Sequence, residues 1–203
     1  MAFLLKSTPD PLSLASALPD VRSASHIFLP INDCRNPAIP EGGSHWSLLV
    51  VGVRDRVAFH YDSLAPANYT EARMVVHKLQ PLLGVQLRLQ NIDDTPQQDN
   101  GSDCGVHVCW AMRHLLVRRL LAVEAEREVD MSLGGKRVDA SGVRKDMYKI
   151  CEGLRKKASR RLGLPLDPPK LFTLDEARGK CGDVGEETVF PLLDSSRTSS
   201  GVI

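Results

Sequence analysis

The stretch GSHWSLLVVGVRDRVAFHYD, residues 43–62, contains the pattern that decides the fold. Residues 45–53 are apolar on both faces, which is typical of a strand buried inside a sheet. Residues 56–62 alternate in character, as a second strand does. Arg54 and Asp55 lie between them, at the centre of a predicted hairpin turn. The stretch therefore predicts two neighbouring antiparallel strands.

The length of the hairpin loop decides whether a histidine and an aspartate can meet. If the loop is even and centred on Arg54 and Asp55, Asp62 lies opposite Ser47, and His45 is its diagonal neighbour on the same face. Diagonal backbone positions are about 7–8 Å apart, which a His–Asp hydrogen bond can span. An odd loop would place the two side chains on opposite faces. The predicted pair is therefore conditional on the register.

Periodicity and turn residues divide the rest of the chain. Residues 1–25 show no clear period and are expected to form an irregular lead-in, residues 26–162 the folded domain, and residues 163–203 a flexible tail. The further predicted elements are a strand at 26–32, a helix over 72–83 ended by Gly84, a strand at 85–92, a helix from 103 to about 123, and an amphipathic helix over 143–154 with Ser141 as a possible cap.

Composition and charge are those of an ordinary globular domain. The 203 residues suffice for one domain with a sizeable core, and 42% are hydrophobic and 25% charged. A formal net charge of +1 gives no reason to expect nucleic acid or an acidic membrane surface as a partner. The apolar runs are too short to span a bilayer. We expect a monomer with no nucleic-acid partner and no membrane association.

Five cysteines are scattered along the chain, and no CxxC pair suggests a structural zinc site or a thioredoxin-like motif. A reducing setting, cytoplasm or nucleus, fits this usage best. Most thiols there are buried small side chains, so a reactive one must be distinguished by its neighbours.

Cys104 has such neighbours, because a polar loop delivers it to the first turn of a helix. Unpaired N–H groups and the helix dipole favour a thiolate there. Gly105 permits close approach of a substrate carbonyl, and the Gln98 amide could donate to an oxyanion. On local sequence alone, an inert cysteine starting a buried helix is an equally good interpretation.

His45 and Asp62 supply the groups that a nucleophilic cysteine needs. An acid held against imidazole fixes its tautomer and stabilises the imidazolium, which pairs with a thiolate. His60 is the rival base on the same face, although within a strand it is expected to pack or to face solvent. His107 points about a turn away from the cysteine. Lone histidines are more often structural than catalytic, so Asp62 is what distinguishes His45, and the residues favour a thiol protease.

Three segments resemble the sentrin/SUMO-specific cysteine protease family, whose members remove or mature ubiquitin-like modifiers. They are GSHWSLLV at 43–50, HYDS at 60–63 and PQQDNGSDCG at 96–105. They occur in the family's order of His, Asp, Gln and Cys, and the similarity spans roughly residues 26–160. Residues 59–63 and 31–33 look most like the deneddylase branch.

The resemblance implies a role for each matching residue. Cys104 would attack the carbonyl of the modifier's terminal glycine, His45 would transfer the proton, and Asp62 would orient His45. Gln98 would help to form the oxyanion hole. Trp46 would cover a channel that admits only a Gly-Gly tail, rather than being a simple buried core aromatic. The remaining residues implied in substrate binding are Asp103 and Gly105.

The family also implies an α+β, papain-like fold with a central mixed sheet flanked by helices, and residues 26–162 as its catalytic domain. It requires no metal or organic cofactor. The implied partner is a ubiquitin-like modifier and its conjugates, with a Nedd-type modifier favoured over SUMO. Cleavage would serve deconjugation, precursor processing or both. A generic papain-like enzyme is disfavoured by Trp46 and by the Gln98 spacing.

The N-terminal part of the chain departs from the family pattern and keeps an alternative function open. Family members usually carry a further helical portion with a Trp-Leu-Asn-Asp segment before residue 26, and residues 1–25 contain nothing similar. We therefore expect a fragment or a shortened form, and the alternative function is a catalytically weak paralogue that binds a ubiquitin-like protein.

The stretch 144–161 holds eight Lys and Arg residues. A solvated helix face is favoured there over a nucleic-acid site or nuclear signal.

Overall fold

The computed structural model describes residues 1–36, 39, 42–122 and 129–163. The chain divides into two compact units, Met1–Leu154 and Arg155–Ile203, and the last helix continues from the first into the second. The predicted tail lies outside the described residues apart from Gly163. In chain order, the elements are α1 (Ala2–Ser7), a 3-10 turn (Pro11–Leu14), β1 (His26–Asn32), β2 (Trp46–Gly52), β3 (Val57–Tyr61), α2 (Tyr69–Leu83), β4 (Arg88–Asn91), α3 (Cys104–Arg113), a π-helical segment (His114–Leu120) and α4 (Ala140–Leu162).

The four strands form one mixed sheet in the order β1-β2-β3-β4. The first three are antiparallel to their neighbours, and β4 runs parallel to β3. Side chains of α1 and α2 form a core with one face of the sheet, and side chains of α3 form a second core with the other face. The predicted α+β architecture, a central mixed sheet flanked by helices, is confirmed.

Coverage of both faces of the sheet explains the apolar run over residues 48–51 of β2. Leu49 and Val51 belong to the core shared with α1 and α2. Leu48 and Val50 belong to the core shared with α3. All four are fully buried, so a polar residue at any of them would lose its water without gaining a partner.

The β2–β3 hairpin has the even loop on which the His–Asp prediction depended. Gly52 pairs with Val57, so residues 53–56 form the loop. Arg56 has a positive φ of 56°, which closes the turn. The same register continues past the last strand pair and sets Asp62 opposite Ser47. The condition on which the predicted His45–Asp62 pair depended is therefore met.

The expected irregular lead-in over residues 1–25 is wrong for its first part. Ala2–Ser7 form α1, which packs against α2 and buries Leu5 completely. Lys6 Nζ donates hydrogen bonds to the backbone carbonyls of Asn32 and Cys34, so α1 is also tied to the end of β1. A helix of six residues has too few turns to display a period, which is why the pattern did not indicate it.

The two predicted helix boundaries have different outcomes. Gly84 ends α2 in the left-handed conformation, with φ of 71°, as predicted. Ser141 does not cap α4, because the Asp139 carboxylate accepts from the backbone N–H of Gly142 at 3.0 Å instead. Of the helices in the described ranges, none is both long and apolar enough to cross a membrane.

The helix predicted from residue 103 consists of α3 and a π-helical continuation. A π turn adds a residue per turn and rotates the side chains that follow. Apolar spacing placed Leu115 and Leu116 on one face of the predicted helix, but Leu115 is fully buried whereas Leu116 is 42% exposed. The predicted end near residue 123 lies outside the described residues.

Candidate active site

His45 lies just before β2, where a short aspartate clamp holds its backbone. The backbone N–H groups of Ser44 and His45 donate to Asp33 Oδ1 at 2.7 and 3.1 Å, and Ser44 Oγ donates to Asp33 Oδ2 at 2.7 Å. Burial opposes ionisation of Asp33, but the hydrogen bonds from His45 and Ser44 outweigh it and lower its pKa. The imidazole therefore extends from a backbone that the Asp33 carboxylate holds in place.

Asp62 accepts three hydrogen bonds at the end of β3. His45 Nε2 lies 2.6 Å from Asp62 Oδ1, and both residues are buried. The backbone N–H of Leu64 donates to the same oxygen at 3.0 Å, and that of Asn68 donates to Oδ2 at 2.9 Å. Burial alone would raise the pKa of Asp62, but these bonds, led by the Asn68 N–H, lower it. Asp62 is therefore anionic at neutral pH.

The contact with Asp62 decides the tautomer of His45. An ionised carboxylate only accepts, so Nε2 carries the proton and Nδ1 keeps its lone pair. The remaining nitrogen is thus a base, and a proton taken up there would give an imidazolium stabilised by Asp62. This is the pairing that the even hairpin loop predicted.

Gln98 and its neighbour Gln97 attach the loop before α3 to the chain that follows β3. The Gln98 side chain accepts from Ser63 Oγ at 2.7 Å and donates to the Asn100 carbonyl at 2.6 Å. Gln97 Nε2 donates to the Asp62 carbonyl at 2.9 Å. An amide has two N–H donors, so Gln98 keeps one hydrogen for a further acceptor. Gln97 was not singled out from the sequence.

Cys104 is the first residue of α3 and is 7% exposed. Its neighbour Asp103 is occupied within the protein, because the carboxylate accepts from Asn100 Nδ2 at 2.8 Å and from Arg144. These two partners lower the pKa of Asp103. Apart from the adjacent residues and the backbone of α3 itself, no atom of the described residues lies within 4 Å of the place where a Cβ at Gly105 would be. The substrate-binding roles of Asp103 and Gly105 stay predictions.

Trp46 is 41% exposed, so the interpretation as a simple buried core aromatic is wrong. With Ser63, Pro96 and His107 it lines a small pocket that brings the start of β2, the end of β3 and the second turn of α3 together. His107 Nδ1 donates to the Pro96 carbonyl at 3.2 Å, a structural contact that fastens the loop to the helix. The tail-channel role of Trp46 stays a prediction.

The structure thus joins His45 to Asp62 directly and attaches Gln98 to the residue after Asp62. Among the described residues, no hydrogen bond links His45 to Cys104. Such contacts are often long without substrate and shorten only in the reacting complex. Within the same ranges, no group of three or more His, Cys, Asp or Glu side chains could hold a metal ion.

His60, the rival base, is buried, and both of its ring nitrogens are hydrogen-bonded. Its Nδ1 lies 3.0 Å from Asn91 Oδ1 and its Nε2 lies 2.9 Å from Ser47 Oγ. The amide oxygen only accepts, so Nδ1 carries the proton and Nε2 accepts from the serine. Desolvation lowers the pKa of His60 despite the Asn91 bond and nearby Asp62. Neither ring nitrogen is left to serve a nucleophile.

We expect His60 to make stability depend on pH below neutrality. Its folded-state pKa lies below the unfolded value of about 6.5, so between the two the unfolded chain binds the proton and the native chain does not. The free energy of unfolding therefore falls as pH drops below about 6.5, by at most ~1.4 kcal/mol per pH unit for one such group. NMR titration of the His60 ring checks the direction of its pKa shift. Urea unfolding at several pH values should show that the free energy of unfolding of His60→Gln depends less steeply on pH than that of the unaltered chain. A His60 ring that titrates at or above 6.5 would contradict this.

Comparison with known proteins identifies the family. Residues 14–132 match the Ulp1 protease family, C-terminal catalytic domain. The chain belongs to the Ulp1 protease family. It is 41% identical over 155 residues to the NEDD8-specific protease 2 of Schizosaccharomyces pombe, a match that covers 76% of this chain and 37% of that protein.

Two further proteins are similar to this chain. Human sentrin-specific protease 8 is 38% identical over 108 residues, covering 51% of this chain and 50% of that protein. The Xanthomonas campestris effector XopD, in a structure bound to ubiquitin, superposes with a TM-score of 0.54 at 26% identity, over 73% of this chain and 74% of that one. The chain thus spans 37% of the length of the Schizosaccharomyces pombe protease and 50% of the length of the human one.

Proposed function

We propose that this chain is a cysteine peptidase that cleaves after the terminal Gly-Gly of a ubiquitin-like modifier. The observation that carries the proposal is the buried His45–Asp62 contact of 2.6 Å, which leaves His45 Nδ1 as a base. Membership of the Ulp1 family supports Cys104, at the start of α3, as the nucleophile. Among the described residues no other histidine is paired with a buried carboxylate in this way.

In the proposed first step, His45 Nδ1 takes the thiol proton of Cys104, and Sγ attacks the carbonyl carbon of the last glycine. The helix start stabilises the thiolate, and the ionised Asp62 stabilises the imidazolium. Negative charge then develops on the carbonyl oxygen. The unused N–H of the Gln98 amide is the side-chain donor available for it.

In the proposed second step, the C–N bond breaks, the imidazolium gives its proton to the leaving amine, and a thioester to Cys104 remains. Water then attacks the thioester carbonyl while His45 takes its proton. The thiolate leaves and the free modifier carboxylate forms. Each step uses the same histidine, so its orientation limits the whole cycle.

A Nedd-type modifier is the favoured substrate. This rests on the similarity to proteins named NEDD8-specific protease, at 41% identity in one case. The partly exposed Trp46 is suited to cover a narrow tail without a side chain. Cleavage of conjugates, of a precursor or of both follows from the same chemistry, and a cytoplasmic or nuclear setting suits a free thiol.

Activity probes test the proposal directly. The chain is incubated with NEDD8, SUMO and ubiquitin carrying a C-terminal propargyl amide or vinyl sulfone, and adducts are identified by intact mass. We expect one adduct per chain with the NEDD8 probe, formed faster than with the SUMO probe. Cys104→Ala should form none, whereas Cys151→Ala, which removes an exposed thiol outside the site, should react like the unaltered chain.

The outcomes separate the alternatives. An adduct that survives Cys104→Ala, or no adduct with any probe, would exclude the peptidase. If a chain that forms no adduct still bound a modifier in solution, the binding-module alternative would replace the peptidase proposal. A faster reaction with the SUMO probe would overturn the Nedd-type preference alone.

A further inference from the structure

Asn68 is a completely buried polar residue that links three parts of the site. It lies at the N-cap of α2, and its backbone N–H donates to Asp62 Oδ2 at 2.9 Å. Its side-chain amide donates to the carbonyls of Ile31 at 3.2 Å and of His45 at 3.3 Å. One residue therefore contacts both members of the His–Asp pair and the strand beside them.

The side chain is held by its donors alone. Asn68 Oδ1 is buried and accepts no hydrogen bond from the described residues. A buried oxygen without a donor lowers the stability of the folded chain. The side chain does not cap α2 either. Stability alone thus gives little reason for an asparagine at this position, whereas its N–H groups have a defined target.

That target is the backbone of His45. The His45 carbonyl accepts from Asn68 Nδ2 and from the backbone N–H of Asp33, and the Asp33 carboxylate holds the N–H groups on the other side. Backbone atoms fixed on both sides determine where the Cα–Cβ bond points. The ring can then meet Asp62 through Nε2 while Nδ1 faces away from it.

We infer that Asn68 is a positioning residue that holds His45 and Asp62 in register for the proposed proton transfer, an inference that rests on the proposed function. It does not touch substrate, because it is fully buried. Loss of its side-chain amide should therefore lower kcat and leave KM unchanged. Displacements of about 1 Å in such sites lower the rate on the order of 100-fold. We therefore expect the kcat of Asn68→Ala to fall by roughly 10–100-fold.

The experiment compares Asn68→Ala, Asn68→Ser and a matched control on the same helix. Gly84→Ala strains the other end of α2, where φ is 71° and where, its chain neighbours apart, no atom of the described residues lies within 4 Å of the added Cβ, so it lowers stability without touching the pair. Each variant is assayed for hydrolysis of NEDD8–aminomethylcoumarin, and its folded fraction is measured by thermal unfolding. Asn68→Ser keeps one donor and should fall between Asn68→Ala and the unaltered chain. If Asn68→Ala does not fold, the kcat of Asn68→Ser tests the inference in its place.

Two readouts do not need modifier turnover. The first is the pH dependence of Cys104 alkylation by iodoacetamide, followed by peptide mass, in which Asn68→Ala should move the rise in rate to higher pH. The second is the downfield proton resonance of the short His45–Asp62 bond, which should weaken or move. Gly84→Ala should change neither.

The inference is overturned if Asn68→Ala keeps the kcat, the alkylation profile and the downfield proton of the unaltered chain. It is also overturned if Gly84→Ala, at equal folded fraction, loses as much kcat. If no modifier substrate is turned over, the proposed function fails, while the alkylation profile and the proton resonance still decide whether Asn68 positions His45.

Discussion

Asp62→Asn is expected to lower kcat/KM on a NEDD8 substrate by about 10³–10⁴-fold, the scale of the loss when the Ser-His-Asp triad of a serine protease loses its carboxylate. The asparagine fits the space but cannot satisfy all three donors now shared by the carboxylate, which come from His45, Leu64 and Asn68. If its oxygen faces Asn68, its N–H₂ faces His45 Nε2, and the proton must move to Nδ1, where a lone pair is needed. If its oxygen faces His45, the Asn68 N–H loses its acceptor.

Either orientation also removes the negative charge that stabilises the imidazolium. The measurement is steady-state kinetics with NEDD8–aminomethylcoumarin, with unfolding monitored in parallel. Asp94→Asn is the matched control, since Asp94 likewise has a lowered pKa from hydrogen bonds, led by Ser132, but lies outside the site. Asp94→Asn should retain the activity of the unaltered chain. Retention of a tenth or more of the activity in Asp62→Asn would show that Asp62 is not the partner on which His45 depends.

The pairing of His45 with Asp62 could be predicted because a hairpin has only two options. The side-chain period of a strand is two, so an even loop puts both residues on one face and an odd loop does not. The sequence left both cases open, and the observed pairing of Gly52 with Val57 is the even one. Sequence pattern succeeds there because one discrete choice determines the geometry.

Asp33, Asn68 and Gln97 could not be found in the same way. Each lies outside the periodic segments and acts on backbone atoms rather than on side chains. A single polar residue in a loop carries no period, and its target is known only once the chain has folded. Asn68 lies four residues before the predicted helix over 72–83, so the pattern did not mark it even as a cap.

Gly43→Ala should combine a large loss of stability with a loss of activity. Gly43 has φ of 94°, which an alanine rarely adopts, and an added Cβ would lie 2.4 Å from both Asn32 Oδ1 and Asp33 Oδ1. Neither oxygen is free to move. Asn32 Oδ1 accepts from the Cys34 N–H at 2.7 Å, and the Asp33 carboxylate is the clamp that holds Ser44 and the His45 backbone. Relief of the clash must therefore open the clamp.

Gly135→Ala separates backbone strain from this clash, since its φ of 70° is also positive and, in the part of the chain that the structure describes, no atom beyond its neighbours lies within 4 Å of the added Cβ. Urea unfolding should show a loss of about 1 kcal/mol for Gly135→Ala, from strain alone. Gly43→Ala should lose about 2 kcal/mol or more beyond that, from the displaced side chains and their broken hydrogen bonds. Its kcat, corrected for the folded fraction, should fall by about 10-fold or more because His45 loses its backbone anchor. Equal unfolding free energies in the two variants, with unchanged kcat in Gly43→Ala, would mean that the loop before β2 yields without moving His45, and that the clamp does not set the position of the base.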